Sequence, residues 1–395
     1  MKRILLFAIA VLVLLGGLAA WKILGPATGF QREKYDLYIR SGMTYDQLVP
    51  LLEKDTVIRS PALFNWVAGR LDYKEKVKAG KYEIKQGMGL LSIVRMLRNG
   101  RQVPVHFTVG KVRTKEGLAG MVGRKLECDS LSMLHFSKSN DSLKAFGIDT
   151  NTFFTLILPN TYTYFWNITA ADVLKKMEAY SKEWWTPERI KAAEEEGLTP
   201  AQAYILASIV EEETNVPADK GKIASVYMNR MARGMKLAAD PTVKYATKDF
   251  EMKHIYFNTL KVASPYNTYI HEGLPPGPIC TPTEQTLEAV LHAPKTDYLF
   301  FAAAPDFTGT VFSATFKEHL ENANAYRKEL HTQEAIRDSL NAAKAGKDSS
   351  NAAKTGAGAA KNTKPVKTTR PVKPQHARSA NSKPVNTKTA RKKHK

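Results

Sequence analysis

Residues 199–214 read TPAQAYILASIVEEET, an apolar run that opens on a threonine and a proline and closes on three adjacent glutamates and a threonine. Thr199 has the chemistry of an N-cap, Pro200 suits the first helical position and Gln202 completes a capping box, so the start of the helix is fixed and its register can be counted. At about 100° per residue from Leu206, the residues Ile205, Ile209 and Val210 define an apolar face. On that count Glu211 falls at about 140°, on the far side, and Glu212 on the flank at about 240°. Glu213 lands at about 340°, between Leu206 and Ile209 in the centre of the stripe. A carboxylate placed there must be paired, hydrogen-bonded or protonated, because burying a lone charge costs on the order of several kcal/mol. Partial burial also raises its pKa toward the range that a general acid needs near neutrality. The competing reading is that the helix ends here, with Pro217 just beyond, and that Glu213 emerges into water. A second triplet, Glu194 to Glu196 in IKAAEEEGLTP, sits at the polar end of a capped helix before Gly197 and is expected to be solvated.

Around this helix, 395 residues leave room for two or three domains with real cores. The formal charge of +20 is unevenly spread. Residues 341–395 hold fifteen Lys and Arg against one acid, Asp348, a net +14 that leaves +6 to residues 1–340. This Lys/Pro-rich tail has almost no large apolar residues, so it is expected to be disordered, either as a solvated extension or as a binder of an anionic polymer. At the other end, MKRILLFAIAVLVLLGGLAAWKILG places two cations before an apolar run long enough to span a hydrocarbon core of about 30 Å. A cleaved signal peptide competes, with small residues at Gly16 to Ala20, but the run continues past that point and favours a retained anchor over residues 1–25. Lys2 and Arg3 favour an N-in orientation, with the remaining chain outside the cytoplasm. Cys128 and Cys280 are far apart, with no CxxC pair and no ligand cluster, so neither a metal site nor a disulfide is expected.

The overall expectation is an α+β protein. From Tyr35 to Gly100 the signals run strand, helix, helix, strand, helix, a small module placed at residues 30–104. Thr44 and Gln47 cap its first helix, which Pro50 should shorten or kink; Ser60 and Pro61 open the second; Gly100 closes the last. Residues 105–185 read as a connecting part with a strand at VPVHFTV, an aromatic stretch at TFFTLILPNTYTYFW and an amphipathic helix. Residues 186–335 carry the glutamates and should hold the chemistry. There the next helix, ADKGKIASVYMNRMARG, shows Ile223, Val226, Tyr227 and Met231 on one face, with Asn229 and Arg230 near its end. Asp240, before Pro241 and Thr242, could place polar groups at a cleft edge. SPYNTYIHEGLPPGPICTP supplies Tyr266, Asn267 and Tyr269, and rings beside amides suit sugars. Rival motifs fail: His271 and Glu272 open like a zinc-protease pair but Pro275 stands at the second ligand, and the chain has no P-loop, GxSxG elbow or dinucleotide-binding glycine turn.

ASIVEEET, ASVYMNRMARGMKLAADPTVKYA, SPYNTYIHEGLPPGPI and YLFFAAAPDFTGTVFSATFKEH, in that order, resemble the YceG-like endolytic murein transglycosylase family across roughly residues 30–335. LPNTYTY is similar to that family's FPDTY stretch with Asn160 in place of the acid, and VHFTVGKVRT stands where members show a TIPEG-like segment. The resemblance implies a single-pass inner-membrane anchor, a LysM-like β-α-α-β module, and a periplasmic catalytic domain. It implies Glu213 as the catalytic residue. Asn229, Asp240, Thr242, Tyr266, Asn267 and Tyr269 are the candidates for substrate binding, and neither metal nor cofactor is expected. The implied reaction is non-hydrolytic cleavage of the β-1,4 bond between N-acetylmuramic acid and N-acetylglucosamine, leaving a 1,6-anhydro end and limiting or terminating strand elongation. Expected partners are peptidoglycan strands, the membrane and cell-wall synthesis proteins, with no specific nucleic acid. The alternatives are a hydrolytic muramidase using Asp240 as base or nucleophile, and a non-catalytic wall-binding scaffold. On the register count, Glu211→Gln is expected to retain most activity.

Overall fold

The computed structural model describes residues 2–252 and 255–356. Contacts divide the chain into residues 1–330 and 331–395. The first unit begins with α1 (Lys2–Leu24), whose apolar side chains from Ile4 to Leu18 stand exposed, while Ile23 packs against the core that follows. It is the one described helix long and apolar enough to cross a membrane.

Next come β1 (Lys34–Ile39), α2 (Tyr45–Lys54), α3 (Pro61–Arg70), β2 (Gly80–Lys85) and α4 (Leu90–Asn99), the order expected from sequence. β1 and β2 pair antiparallel with Leu37 opposite Tyr82. Leu37, Ile39, Leu48, Phe64, Tyr82 and Ile93 are buried in a core of their own, separate from the one downstream. The Thr44 capping box forms, and Gly100 closes α4 in the left-handed conformation, φ 71°. Pro50 does not end α2, which runs on to Lys54; at this sixth helical position the proline removes one donor but leaves the following turn intact.

The second core is built on β3 (Val105–Val109), α5 (Lys115–Lys125), α6 (Ser130–Lys138), α7 (Asn140–Leu143), β4 (Asn160–Tyr164), α8 (Ala170–Trp184), α9 (Pro187–Glu195) and α10 (Pro200–Glu213). α11 (Pro217–Ala232), α12 (Asp240–Thr247), α13 (Glu284–Leu291), and the hairpin β5 (Phe300–Ala303) with β6 (Thr310–Ser313) complete it. β3 and β4 pair antiparallel, Phe107 opposite Tyr162, so the end of the aromatic stretch is a core strand.

α10 is the axis of this core. The Thr199 capping box is formed in full. Every residue from Ala203 to Glu211 is buried, with α13 and α11 packed along the helix. That corrects the one-faced reading: a helix covered on all sides has no solvent side for Glu211 to occupy. Glu194 and Glu195, by contrast, are exposed, and the partly covered Glu196 pairs with Lys295 at 2.6 Å.

The last element, α14 (Phe316–Gly356), continues into the second unit. The tail expected to be disordered from residue 341 is therefore helical to Gly356; residues 357–395 lie outside those described. Scarcity of apolar residues excludes a core but not a helix. Ala and Lys dominate this stretch, no proline occurs before Pro365, and the helix is already nucleated upstream.

Candidate active site

The three glutamates end α10 and face three different surroundings. Glu211 is buried: its carboxylate accepts from Lys220 at 2.9 Å and from the hydroxyls of Thr283, at 2.9 Å, and Thr286. Burial alone would raise its pKa, but the Thr286 hydroxyl, Lys220 and Thr283 together hold it below the usual carboxylate value. Glu212 is gripped by both arms of the Arg113 guanidinium, each at 2.9 Å, with Lys111 at 3.7 Å. Lys111 and Arg113 come from the VHFTVGKVRT segment, which is thereby tied directly to the end of α10. Val112 between them exchanges hydrogen bonds with Thr281, its N–H donating to the hydroxyl and its carbonyl accepting from the Thr281 N–H, both at 2.9 Å.

Glu213 is different. The Tyr227 hydroxyl of α11 donates to its Oε1 at 2.5 Å, while Oε2 makes no hydrogen bond among the described residues. Two cavities meet at this carboxyl. One, about 310 Å³, is lined by Arg113, Glu212, Asp240, Lys244, Tyr245 and Phe250 besides Glu213. The other, about 300 Å³, is lined by Tyr227, Arg230, Asp240, Tyr269, Phe301 and His319 besides Glu213. Glu213 and Asp240 belong to both, so the cleft runs past them in two directions. Desolvation of Glu213 raises its pKa to about 7; the Tyr227 hydrogen bond opposes this, the Asp240 charge adds to it, and Arg230 and Lys244 oppose it. A carboxyl of this kind can hold a proton near neutrality, release it, and take one back.

The chain matches the profile of the YceG-like family over residues 37–325. It belongs to that family. Over 325 residues it is 31% identical to the endolytic murein transglycosylase of Bacillus subtilis strain 168, covering 77% of this chain and 88% of that one. The endolytic murein transglycosylase of Streptococcus pneumoniae serotype 2 strain D39 is 24% identical over 352 residues, which cover 79% of this chain and 63% of that protein. A crystal structure of a yceG-like protein from Listeria monocytogenes is 27% identical, with a TM-score of 0.49, covering 74% of this chain and 99% of that chain.

Within this YceG-like chain the candidate site residues divide into two groups. Glu213, Asp240 and Tyr269 meet at the cleft, where the Tyr269 hydroxyl donates to Asp240 Oδ1 at 2.5 Å. The others do not line either cavity. Asn229 spends its amide on the carbonyls of Thr296 and Tyr298, both at 2.9 Å. Asn267 is fully buried and donates to the carbonyls of Leu260 and Val262. Thr242 is buried and its hydroxyl donates to the Ala239 carbonyl at 2.7 Å. Tyr266 packs behind the cleft on Tyr245, ring centroids 4.7 Å apart. The aromatic wall suited to a sugar face is made by Tyr245 and Phe250, which the motif reading passed over. Arg230 donates to the Leu299 and Leu237 carbonyls at 2.7 and 2.6 Å and lines the second cavity.

The Tyr227 contact sets a pH prediction. Activity that needs protonated Glu213 should fall above about pH 7, roughly tenfold per pH unit. The hydroxyl favours the carboxylate form, so Tyr227→Phe should raise the Glu213 pKa and move this limb to higher pH. Profiles of kcat/KM for the two proteins measure the shift, and a limb that moves down would contradict the assignment.

Proposed function

We propose that this chain is a membrane-anchored endolytic murein transglycosylase, a lyase that cuts peptidoglycan between N-acetylmuramic acid and N-acetylglucosamine without consuming water. The observation that carries the reading is one carboxyl, Glu213, with a pKa raised to about 7 and one oxygen held by Tyr227, at the meeting point of two cavities. A cleft open on both sides of the acid suits a bond in the interior of a strand. The curated relatives named above carry the same activity in their names.

Glu213 protonates the glycosidic oxygen as the bond to C1 of the muramyl sugar breaks. The resulting carboxylate then removes the proton from the C6 hydroxyl of that sugar, whose oxygen closes on C1 to give the 1,6-anhydro end. Atoms balance with no water entering, and Glu213 finishes protonated. A typical glycosidase needs two carboxylates because an external nucleophile must be supplied or activated; here the substrate carries its own. Asp240, bonded to Tyr269, adds to the field that keeps Glu213 protonated, and Tyr245 with Phe250 offers the sugar an apolar wall. α1 holds the enzyme at the outer face of the membrane, where newly made strands emerge and where cutting limits their length. The module of residues 30–104, with its own core, is read as a LysM-like wall-binding unit.

Turnover of purified, peptide-free glycan strands tests the reading. Strands should be cut internally, so that average length falls before short fragments accumulate. Binding without any cutting would instead make the chain a wall-binding scaffold.

A further inference from the structure

His319 belongs to no motif that the sequence reading used. It lies in the first turn of α14, where the Thr315 hydroxyl and the Glu318 carboxylate cap the helix reciprocally and fix its start. The imidazole stacks on Phe300, centroids 5.3 Å apart at 24°, and Phe316 packs against it at 6.1 Å. Phe300 and Phe316 are themselves 5.7 Å apart, so the three rings form a tight cluster, and the imidazole lines the second cavity together with Arg230 and Glu213. Its Nδ1 is buried and has no hydrogen-bond partner among the described residues, whereas Nε2 is not among the buried unpartnered atoms. An unpaired N–H buried at Nδ1 would carry a larger penalty than a lone pair there, so the ring proton belongs on Nε2.

We propose that His319 is a substrate-contacting residue of the second cavity, its Nε2–H donating a hydrogen bond to an oxygen of the sugar bound there. The inference rests on the transglycosylase reading and deepens it. Most of the other donors lining that cavity are already committed. The Tyr227 hydroxyl donates to Glu213, the Tyr269 hydroxyl to Asp240, and two Arg230 nitrogens to main-chain carbonyls. Nε2–H of His319 is therefore an available donor, on a side chain whose orientation is fixed by two aromatic rings. The ring is kept neutral by burial and by the Arg230 charge, which lower its pKa from 6.5. Protonation would place a second cation beside Arg230 and an unpaired donor at the buried Nδ1. The anionic groups facing the same cavity are Glu213 of α10 and Asp240 of α12, with the Tyr227 and Tyr269 hydroxyls between them.

The test compares wild type, His319→Phe and His319→Gln on soluble glycan strands, with thermal midpoints to check folding. Phe keeps the stacking but has no donor; Gln carries an N–H donor near the position of Nε2. His319→Phe should raise KM about 3- to 10-fold, the loss of one hydrogen bond, and lower kcat by less. His319→Gln should recover most of that loss. If His319→Phe fails to fold, His319→Leu, which also lacks a donor, takes its place in the comparison with His319→Gln. Unchanged KM in the variant without a donor, or a loss that His319→Gln does not recover, would overturn the proposal while leaving the function intact. Absence of wild-type turnover would overturn both.

Discussion

Glu213→Gln should lower turnover of glycan strands by about 10²- to 10⁴-fold, because the amide keeps the shape of the carboxyl but can neither donate nor accept the reacting proton. The same substitution should stabilise the fold at alkaline pH. The sign follows from the raised pKa: between 4.5 and about 7 the folded state binds more protons at this site than the unfolded state does. Stability from this group is therefore fully present below pH 4.5 and is lost as the pH rises through about 7. Above that window the native carboxylate costs about 3 kcal/mol relative to its solvated form. Gln carries no charge and avoids the cost, so its thermal midpoint should exceed wild type near pH 8 and match it near pH 4. Higher alkaline stability with lost activity is the signature of a strained catalytic acid. A variant that loses both together would instead make Glu213 a structural residue.

Glu211→Gln should act in the opposite sense. Glu211 and Lys220 are each 7% exposed, and their ion pair is completed by Thr283 and Thr286 of the α13 cap. Removing the carboxylate leaves the Lys220 ammonium buried without its counter-charge, at a cost of about 3–5 kcal/mol. Denaturant unfolding should show that loss, and activity should fall with the folded fraction while its pH profile stays in place. Replacing both partners, Glu211→Leu with Lys220→Met, should recover much of the stability, since an apolar pair of similar volume leaves no charge to compensate. Wild-type stability in Glu211→Gln would mean that the pair contributes nothing. The earlier expectation that this variant stays active rested on the helix having a wet side.

That contrast shows where local sequence was sufficient. Thr199, Pro200 and Gln202 fix the first turn of α10 by local hydrogen bonds, so counting from them reaches Glu213 with the correct register. Ser60, Thr44 and Gly100 likewise mark ends that local chemistry decides. What surrounds each position is decided elsewhere. Whether the far face of α10 meets water depends on α13, more than seventy residues later, and Glu211 was misplaced for that reason. Asn229, Asn267 and Thr242 looked like ligand-binding groups because amides and hydroxyls serve both tasks, and only the tertiary structure shows which carbonyls they satisfy. Tyr227 was counted as an apolar residue of its helix; its ring is buried as counted, while its hydroxyl turns to Glu213. Arg113 and His319 reach the cleft from about one hundred residues on either side of Glu213, a distance across which periodicity carries no information.

The proposed mechanism needs only one carboxylate because the substrate supplies the nucleophile. Its most direct test is the mass of the glycan ends released from isolated peptidoglycan in water enriched in heavy oxygen. Wild type and Asp240→Asn alike should give 1,6-anhydro ends, lighter than hydrolysed ends by one water and free of the label. Reducing ends that carry the heavy oxygen, lost when Asp240 is replaced, would contradict it and assign Asp240 the activation of a water molecule.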